Sequence, residues 1–301
     1  MKRKLFQIAK LLRPKQWIKN FAIFAPLVFT EQLFNAPAFS RVFFGFIAFC
    51  GISSALYIVN DIADINSDRM HPFKRFRPLA HKDISVKFAI ILAVILGASA
   101  LMLASTITRS FFLCVLVFLV LQLLYSSKLK HIAVIDILIL ASGYILRVYA
   151  GEFASGWRVS VWLLLTTIAL SLFIAVGKRK SELTLISHLP AARLEATRKT
   201  LSHYSDKLLD IYASIFATST FIFYALFTFS TGSNYSKITL SFLLPDYLPA
   251  SLQRKWIMIT ILPVAYGLMR YLQDIYEKHE GDSPEKVLLS DAPLLIAVGI
   301  W

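Results

Sequence analysis

The run Asn60-Asp61-Ile62-Ala63-Asp64-Ile65-Asn66-Ser67-Asp68 gathers three aspartates and two asparagines into nine residues. If a helix carries the run, Asn60, Asp64 and Asp68 fall at i, i+4 and i+8 and share one face. Carboxylates stacked a turn apart repel each other unless a cation lies between them. Oxygen ligands of this kind suit Mg²⁺, which uses one or two carboxylates and completes its shell with water and substrate phosphate. The plain alternative is a solvated helix end with a capping residue. Against it, acidic residues at a helix C-terminus oppose the macrodipole, and these lie in the most basic part of the chain. Asn60, Asp64 and Asp68 are therefore the expected metal ligands; Asp61, Asp64 and Asp68 are the expected catalytic carboxylates.

Cations follow at once: Lys74, Arg75 and Arg77. Beside a carboxylate-metal site they fit a ligand with several phosphates, although any one of them could instead meet anionic lipid headgroups. A second polar block, Tyr125-Ser126-Ser127-Lys128-Leu129-Lys130-His131, leads to Asp136. Asp136 and Arg147 are three helical turns apart and face the same way; ionisable groups inside a membrane are costly and by default functional. For Arg147, pairing with Glu152 is an equal expectation. A third block is Lys178-Arg179-Lys180-Ser181-Glu182. A fourth is the leader Arg13-Pro14-Lys15-Gln16-Trp17-Ile18-Lys19-Asn20, in which Trp17 suits the interfacial belt and Lys19 and Asn20 point inward.

The elements that must hold these blocks are apolar. Of 301 residues, 57% are hydrophobic and 17% charged, against about a quarter charged in a soluble domain. The apolar residues come in blocks of about 20, long enough to cross a ~30 Å hydrocarbon layer as helices. Nine spans are expected, near 18–34, 40–60, 84–106, 110–127, 132–151, 159–177, 208–230, 255–272 and 288–301. The fold class is an all-α polytopic membrane protein, with one bundle over 1–301 and no linker to divide it. With the N-terminus inside, 25 of the 32 Lys and Arg residues fall on the inner side. That bias places the N-terminus and the polar blocks at the cytoplasmic face of the plasma (inner) membrane. It also accounts for most of the +14 net charge, so nucleic acid is not an expected partner. Cys50 and Cys114 sit inside apolar blocks and read as small hydrophobes, and the six histidines show no ligand spacing.

These residues resemble the UbiA superfamily of intramembrane prenyltransferases. The motif NDxxDxxxD stands here as Asn60 to Asp68, continued by Arg69, His71-Pro72, Lys74 and Arg77-Pro78. The resemblance implies a nine-helix UbiA-like bundle. Usual members carry a second aspartate motif after span 6. Here Lys178, Arg179, Lys180 and Glu182 stand in its place, and the later acids Glu195 and Asp206 look isolated. That departure is similar to one branch, the decaprenyl-phosphate phosphoribosyltransferases. The likeness extends through the leader, the Tyr125–Asp136 block, Ser142-Gly143 to Gly151, Gly177 to Leu183, and Pro293 to Trp301.

The branch implies an Mg²⁺-dependent enzyme of cell-envelope biosynthesis, with phosphoribosyl pyrophosphate as donor, a polyprenyl phosphate as acceptor and pyrophosphate as product. Its phosphate-binding residues would come from Lys19, Lys74, Arg75, Arg77, Tyr125, Lys128, Lys130, Lys178 and Arg179, with Asn20, Asp136, Arg147 and Glu182 as further candidates. The bilayer is the remaining partner, and a homo-oligomer is left open. The alternative is a conventional prenyltransferase acting on an aromatic or small acceptor. An anion transporter fits less well: the chain has no evident inverted repeat, and its ionisable groups cluster on one side.

Overall fold

The computed structural model describes residues 2–70, 74–187, 204–230, 256–276, 287 and 290–301. Among these every regular element is helical. The chain divides into two compact units, 1–158 and 159–301.

The first unit opens with α1 (Lys2–Leu12) and a 3₁₀ segment (Pro14–Phe24), followed by α2 (Ala25–Phe29) and α3 (Ala36–Ala63). After α4 (Ile65–Met70) come α5 (Val86–Ser105), α6 (Arg109–Ser127) and α7 (Ile135–Ser155). Side-chain caps set where the long helices begin. Asn35 Oδ1 accepts from the Ala38 N–H at 3.2 Å, Ser85 Oγ from Phe88 at 3.3 Å and Thr108 Oγ1 from Phe111 at 3.1 Å. Gly156, at φ 81°, closes α7 in the left-handed region. Between caps these helices are apolar on every side, as expected where the surroundings are hydrocarbon as well as protein.

Helix α3 is the centre of this unit: 61% of its most apolar window is buried, against 22% for α5. Its Phe49 packs edge-on to Phe111 and lies 5.2 Å, centroid to centroid, from Phe118. At 28 residues it rises about 42 Å, some two turns more than the hydrocarbon thickness. The surplus carries Asn60 and Asp61 beyond the apolar block.

The span expected at 18–34 is not one long helix. The chain runs as 3₁₀ to Phe24, becomes α-helical for Ala25–Phe29 and then turns. Two contacts with α7 explain this path. A Cβ on Gly151 would collide with the Ile23 carbonyl, so backbone lies directly on backbone there. Four residues earlier, Arg147 Nε donates to Asn20 Oδ1 at 2.7 Å. A 3₁₀ segment rises faster than an α-helix, so these few residues cover nearly the distance of a full α-helical span.

The second unit holds α8 (Val161–Ser187), α9 (Asp206–Ser230), a 3₁₀ segment (Trp256–Thr260), α10 (Ile261–Tyr276) and α11 (Ala292–Ile300). Asp291 caps α11 by accepting from the Leu294 N–H at 2.9 Å. Among the described residues, six helices are long and apolar enough to cross a membrane: α3, α5, α6, α7, α8 through Thr184, and α9. The spans expected at 255–272 and 288–301 appear as the 16-residue α10 behind its 3₁₀ turn and the nine-residue α11. The chain is an integral membrane protein.

Candidate active site

The acidic run straddles the end of α3 and the start of α4. Asp64 lies between them at φ −95°, ψ 7°, yet the i→i−4 ladder continues through it. The Asp64 N–H reaches Asn60 O at 2.9 Å and the Asp68 N–H reaches Asp64 O at 2.8 Å. Asn60, Asp64 and Asp68 therefore keep their one-turn spacing. The break changes one electrostatic detail. Asp61 and Asp64 oppose the dipole of α3, but Asp68 occupies the first turn of α4, where a negative charge is favoured.

Each carboxylate already meets a donor. Asn60 Nδ2 donates to Asp64 Oδ2 at 3.0 Å, and Lys130 Nζ to Asp64 Oδ1 at 3.0 Å. Arg77 Nη1 reaches Asp68 Oδ2 at 2.7 Å and Asp61 Oδ1 at 3.1 Å. Arg13 forms an ion pair with Asp61, its guanidinium 5.1 Å from the centre of the Tyr57 ring. Asp61 and Asp68 are almost fully buried, whereas the Asp64 side chain keeps 28% of its surface. Charge is thus closely balanced: three carboxylates face three cations from three different segments.

The donor set fits a hard divalent cation. Its candidate donor atoms are oxygens, the Asp64 carboxylate is partly exposed, and Lys130 and Arg77 border the group. Among the described residues no three His, Cys, Asp or Glu side chains are grouped to hold a metal by themselves.

The other expected residues lie variously near and apart. Lys19 is partly buried and donates to Gln16 Oε1 at 2.7 Å. Asn20 is fully buried, with its amide also donating to Cys50 Sγ at 3.3 Å. Trp17, expected in the interfacial belt, donates to Ser54 Oγ on α3 at 3.0 Å. Arg75 is exposed and folds over the ring of Phe76, 4.8 Å from its centroid. Tyr125 is buried and Lys128 exposed. Lys74 lies in the 3₁₀ turn Lys74–Phe76, but its side chain, like all of His71 and Pro72, falls outside the described residues. Asp136 is buried and accepts from the Ile137 N–H at 2.9 Å at the start of α7. Arg147 takes Asn20 and the Gly143 carbonyl as partners, not the Glu152 that was one of its two expected roles, with the Phe118 ring centroid 4.8 Å from its guanidinium.

In the second unit Lys178, Arg179 and Glu182 belong to α8, which runs on to Ser187 without a loop. Arg179 is fully buried and paired with Glu182, one turn along, while Lys178 is partly exposed. Glu195 lies outside the described residues. Asp206 is not isolated: it and Asp210, one turn apart at the start of α9, both bind Lys180 Nζ, at 2.9 and 2.8 Å. Tyr276 OH donates to Asp210 Oδ1 at 2.5 Å. The spacing DxxxD was available in the sequence as a signal for this pair. Arg13 was also missed. Its φ of 53° turns the chain so that it meets Asp61, 48 residues away, and no local pattern announces that.

The sequence model of the UbiA prenyltransferase family matches residues 21–290. The decaprenyl-phosphate phosphoribosyltransferase of Mycolicibacterium smegmatis is 34% identical over 98% of this chain and 89% of its own length. That of Corynebacterium glutamicum is 36% identical over 97% of this chain and 83% of its own. In fold, the chain resembles a UbiA homolog from Archaeoglobus fulgidus bound to GPP and Mg²⁺. The TM-score is 0.70 at 19% identity, covering 98% of this chain and 96% of the other. The helical architecture, the acidic run at the end of α3 and these likenesses agree, and the chain belongs to the UbiA prenyltransferase family.

Proposed function

We propose that this protein transfers a 5-phosphoribosyl group from phosphoribosyl pyrophosphate to a polyprenyl phosphate of the decaprenyl kind, releasing pyrophosphate. What carries the reading is the carboxylate pair Asp64 and Asp68 with Asn60, bordered by Lys130 and Arg77. It is supported by near-full-length relatives named for this transfer. In the reaction the anomeric C–O bond to the diphosphate breaks and the pyrophosphate leaves with the electron pair. A phosphate oxygen of the acceptor forms the new bond to the same carbon.

Asp64 and Asp68, with Asn60, would hold Mg²⁺, which when bound would supply neutralisation of the charge on the departing pyrophosphate. Lys130 and Arg77 exchange carboxylate for phosphate oxygens and orient the donor. The lipid phosphate is already an anion at neutral pH, so no side chain need act as general base. Lys178 and Arg179 are assigned to phosphate by sequence position alone. The further reading is of one UbiA-like domain over 1–301 with nine crossings, the 3₁₀ segment with α2 serving as the first. The N-terminus and the site face the cytoplasm across the inner membrane, as the distribution of basic residues supports.

One observation favours the alternative of a prenyl diphosphate donor, namely the acidic pair Asp206–Asp210. Lys180 already occupies that pair, which weakens it as a second metal seat. The deciding experiment incubates the purified protein with labelled phosphoribosyl pyrophosphate, a polyprenyl phosphate and Mg²⁺. Label should enter the lipid phase and should fail to do so with excess EDTA. Turnover of a prenyl diphosphate with an aromatic acceptor, and none of the phosphoribosyl donor, reverses the assignment.

A further inference from the structure

Asp61 differs from Asp64 and Asp68 in direction, and from Asp64 also in burial and partners. One residue past Asn60, it is turned by about 100° around α3 and so leaves the face that Asn60, Asp64 and Asp68 share. Its side chain is 2% exposed against 28% for Asp64. Its partners are the two arginines, Arg13 and Arg77. One nitrogen, Arg77 Nη1, serves both Asp61 and Asp68. Neither arginine sits on a long helix: Arg13 precedes the 3₁₀ segment in a left-handed conformation, and Arg77 follows the Lys74–Phe76 turn. A buried anion on the rigid α3 is therefore what fixes both cations at the edge of the seat.

We infer that Asp61 is a positioning residue, an anchor for Arg77 and Arg13 and not a metal ligand. When Asp68 turns to a divalent cation, Arg77 stays tethered to Asp61 and offers its freed N–H groups to the donor's diphosphate. A guanidinium has five donors in a fixed fork, enough to keep the carboxylate while taking a phosphate. This inference rests on the reading of Asp64 and Asp68 as a metal-diphosphate seat. It makes metal binding and diphosphate binding separable properties of adjacent residues.

The test uses the full-length protein in detergent, with Mn²⁺ binding followed by electron paramagnetic resonance. Binding of inorganic pyrophosphate is then measured at saturating Mn²⁺. Asp61→Asn should hold Mn²⁺ close to wild type but weaken pyrophosphate by about 10- to 100-fold, the range for losing one hydrogen bond to a charged group. Arg77→Gln should give the same pattern, and the double variant little more than either alone, because both remove one unit. Loss of Mn²⁺ binding in Asp61→Asn as severe as in Asp64→Asn makes Asp61 a ligand and overturns the anchor. So does unchanged pyrophosphate affinity. Should Asp61→Asn not fold, Arg77→Gln decides alone: wild-type pyrophosphate affinity overturns the inference, and its loss with intact Mn²⁺ binding upholds it. Retention of Mn²⁺ by Asp64→Asn is a different failure, which removes the seat itself and the anchor with it.

Discussion

The two units each contain acids one helical turn apart in contact with cations, and the two clusters are built differently. In the first, Asp61 and Asp64 oppose the dipole at the end of α3, and Arg13, Arg77 and Lys130 come from separate short connections. In the second, Asp206 lies in the favoured first turn of α9 with Asp210 one turn on, and their cation, Lys180, is fixed on the long helix α8. The first cluster holds its negative charge against the local field and depends on cations that can be re-aimed. The second is satisfied where it stands and ties α8 to α9. Acidic spacing alone does not separate a substrate seat from a clamp. Where the cations are anchored does.

Substitutions in the two clusters test whether their difference is functional. The largest effect is expected for Asp64→Asn, which removes the open carboxylate of the first cluster. Mg²⁺-dependent transfer should fall by at least about 100-fold, with the protein still monodisperse on size exclusion; near-wild-type transfer would remove the contrast altogether. Lys130→Met should lower kcat/KM for the phosphoribosyl donor by about 10- to 100-fold, the worth of one charge-assisted hydrogen bond, because a cation that shifts to phosphate is lost. An unchanged value would make Lys130 a clamp like Lys180. Gly151→Val probes the scaffold beneath the first cluster. Its side chain would displace the 3₁₀ segment at Ile23, costing about 1–3 kcal/mol, read as a lowered Tm in detergent. The smallest effect is expected for Asp206→Asn. Its side chain is 65% exposed, and exposed pairs contribute about 0–1 kcal/mol. Transfer should stay near wild type and Tm should barely move; a large loss of transfer would promote the second cluster to a substrate role.

Much of this arrangement was legible in the residue order. The apolar blocks located α3, α5, α6, α7, α8 and α9, because a helix in hydrocarbon must be apolar on all sides and needs about 20 residues. The acidic run was legible because helical periodicity alone places Asn60, Asp64 and Asp68 in line, and the ladder through Asp64 preserves that line. The first span was read as an ordinary helix, since hydropathy does not distinguish 3₁₀ from α. The pair Asp206–Asp210 was passed over because its meaning depends on Lys180, 26 residues earlier.

Residue order was enough to make the chain helical, to put it in a membrane and to collect carboxylate and amide side chains at the end of one helix. These follow from local quantities: hydropathy, charge and the 3.6-residue period. Only the tertiary structure decided which cation meets which carboxylate. Arg13 reaches Asp61 across 48 positions, Lys130 reaches Asp64 across 66 and Arg147 reaches Asn20 across 127. Such pairings depend on how helices pack and connections turn, and no periodicity within a single segment encodes them.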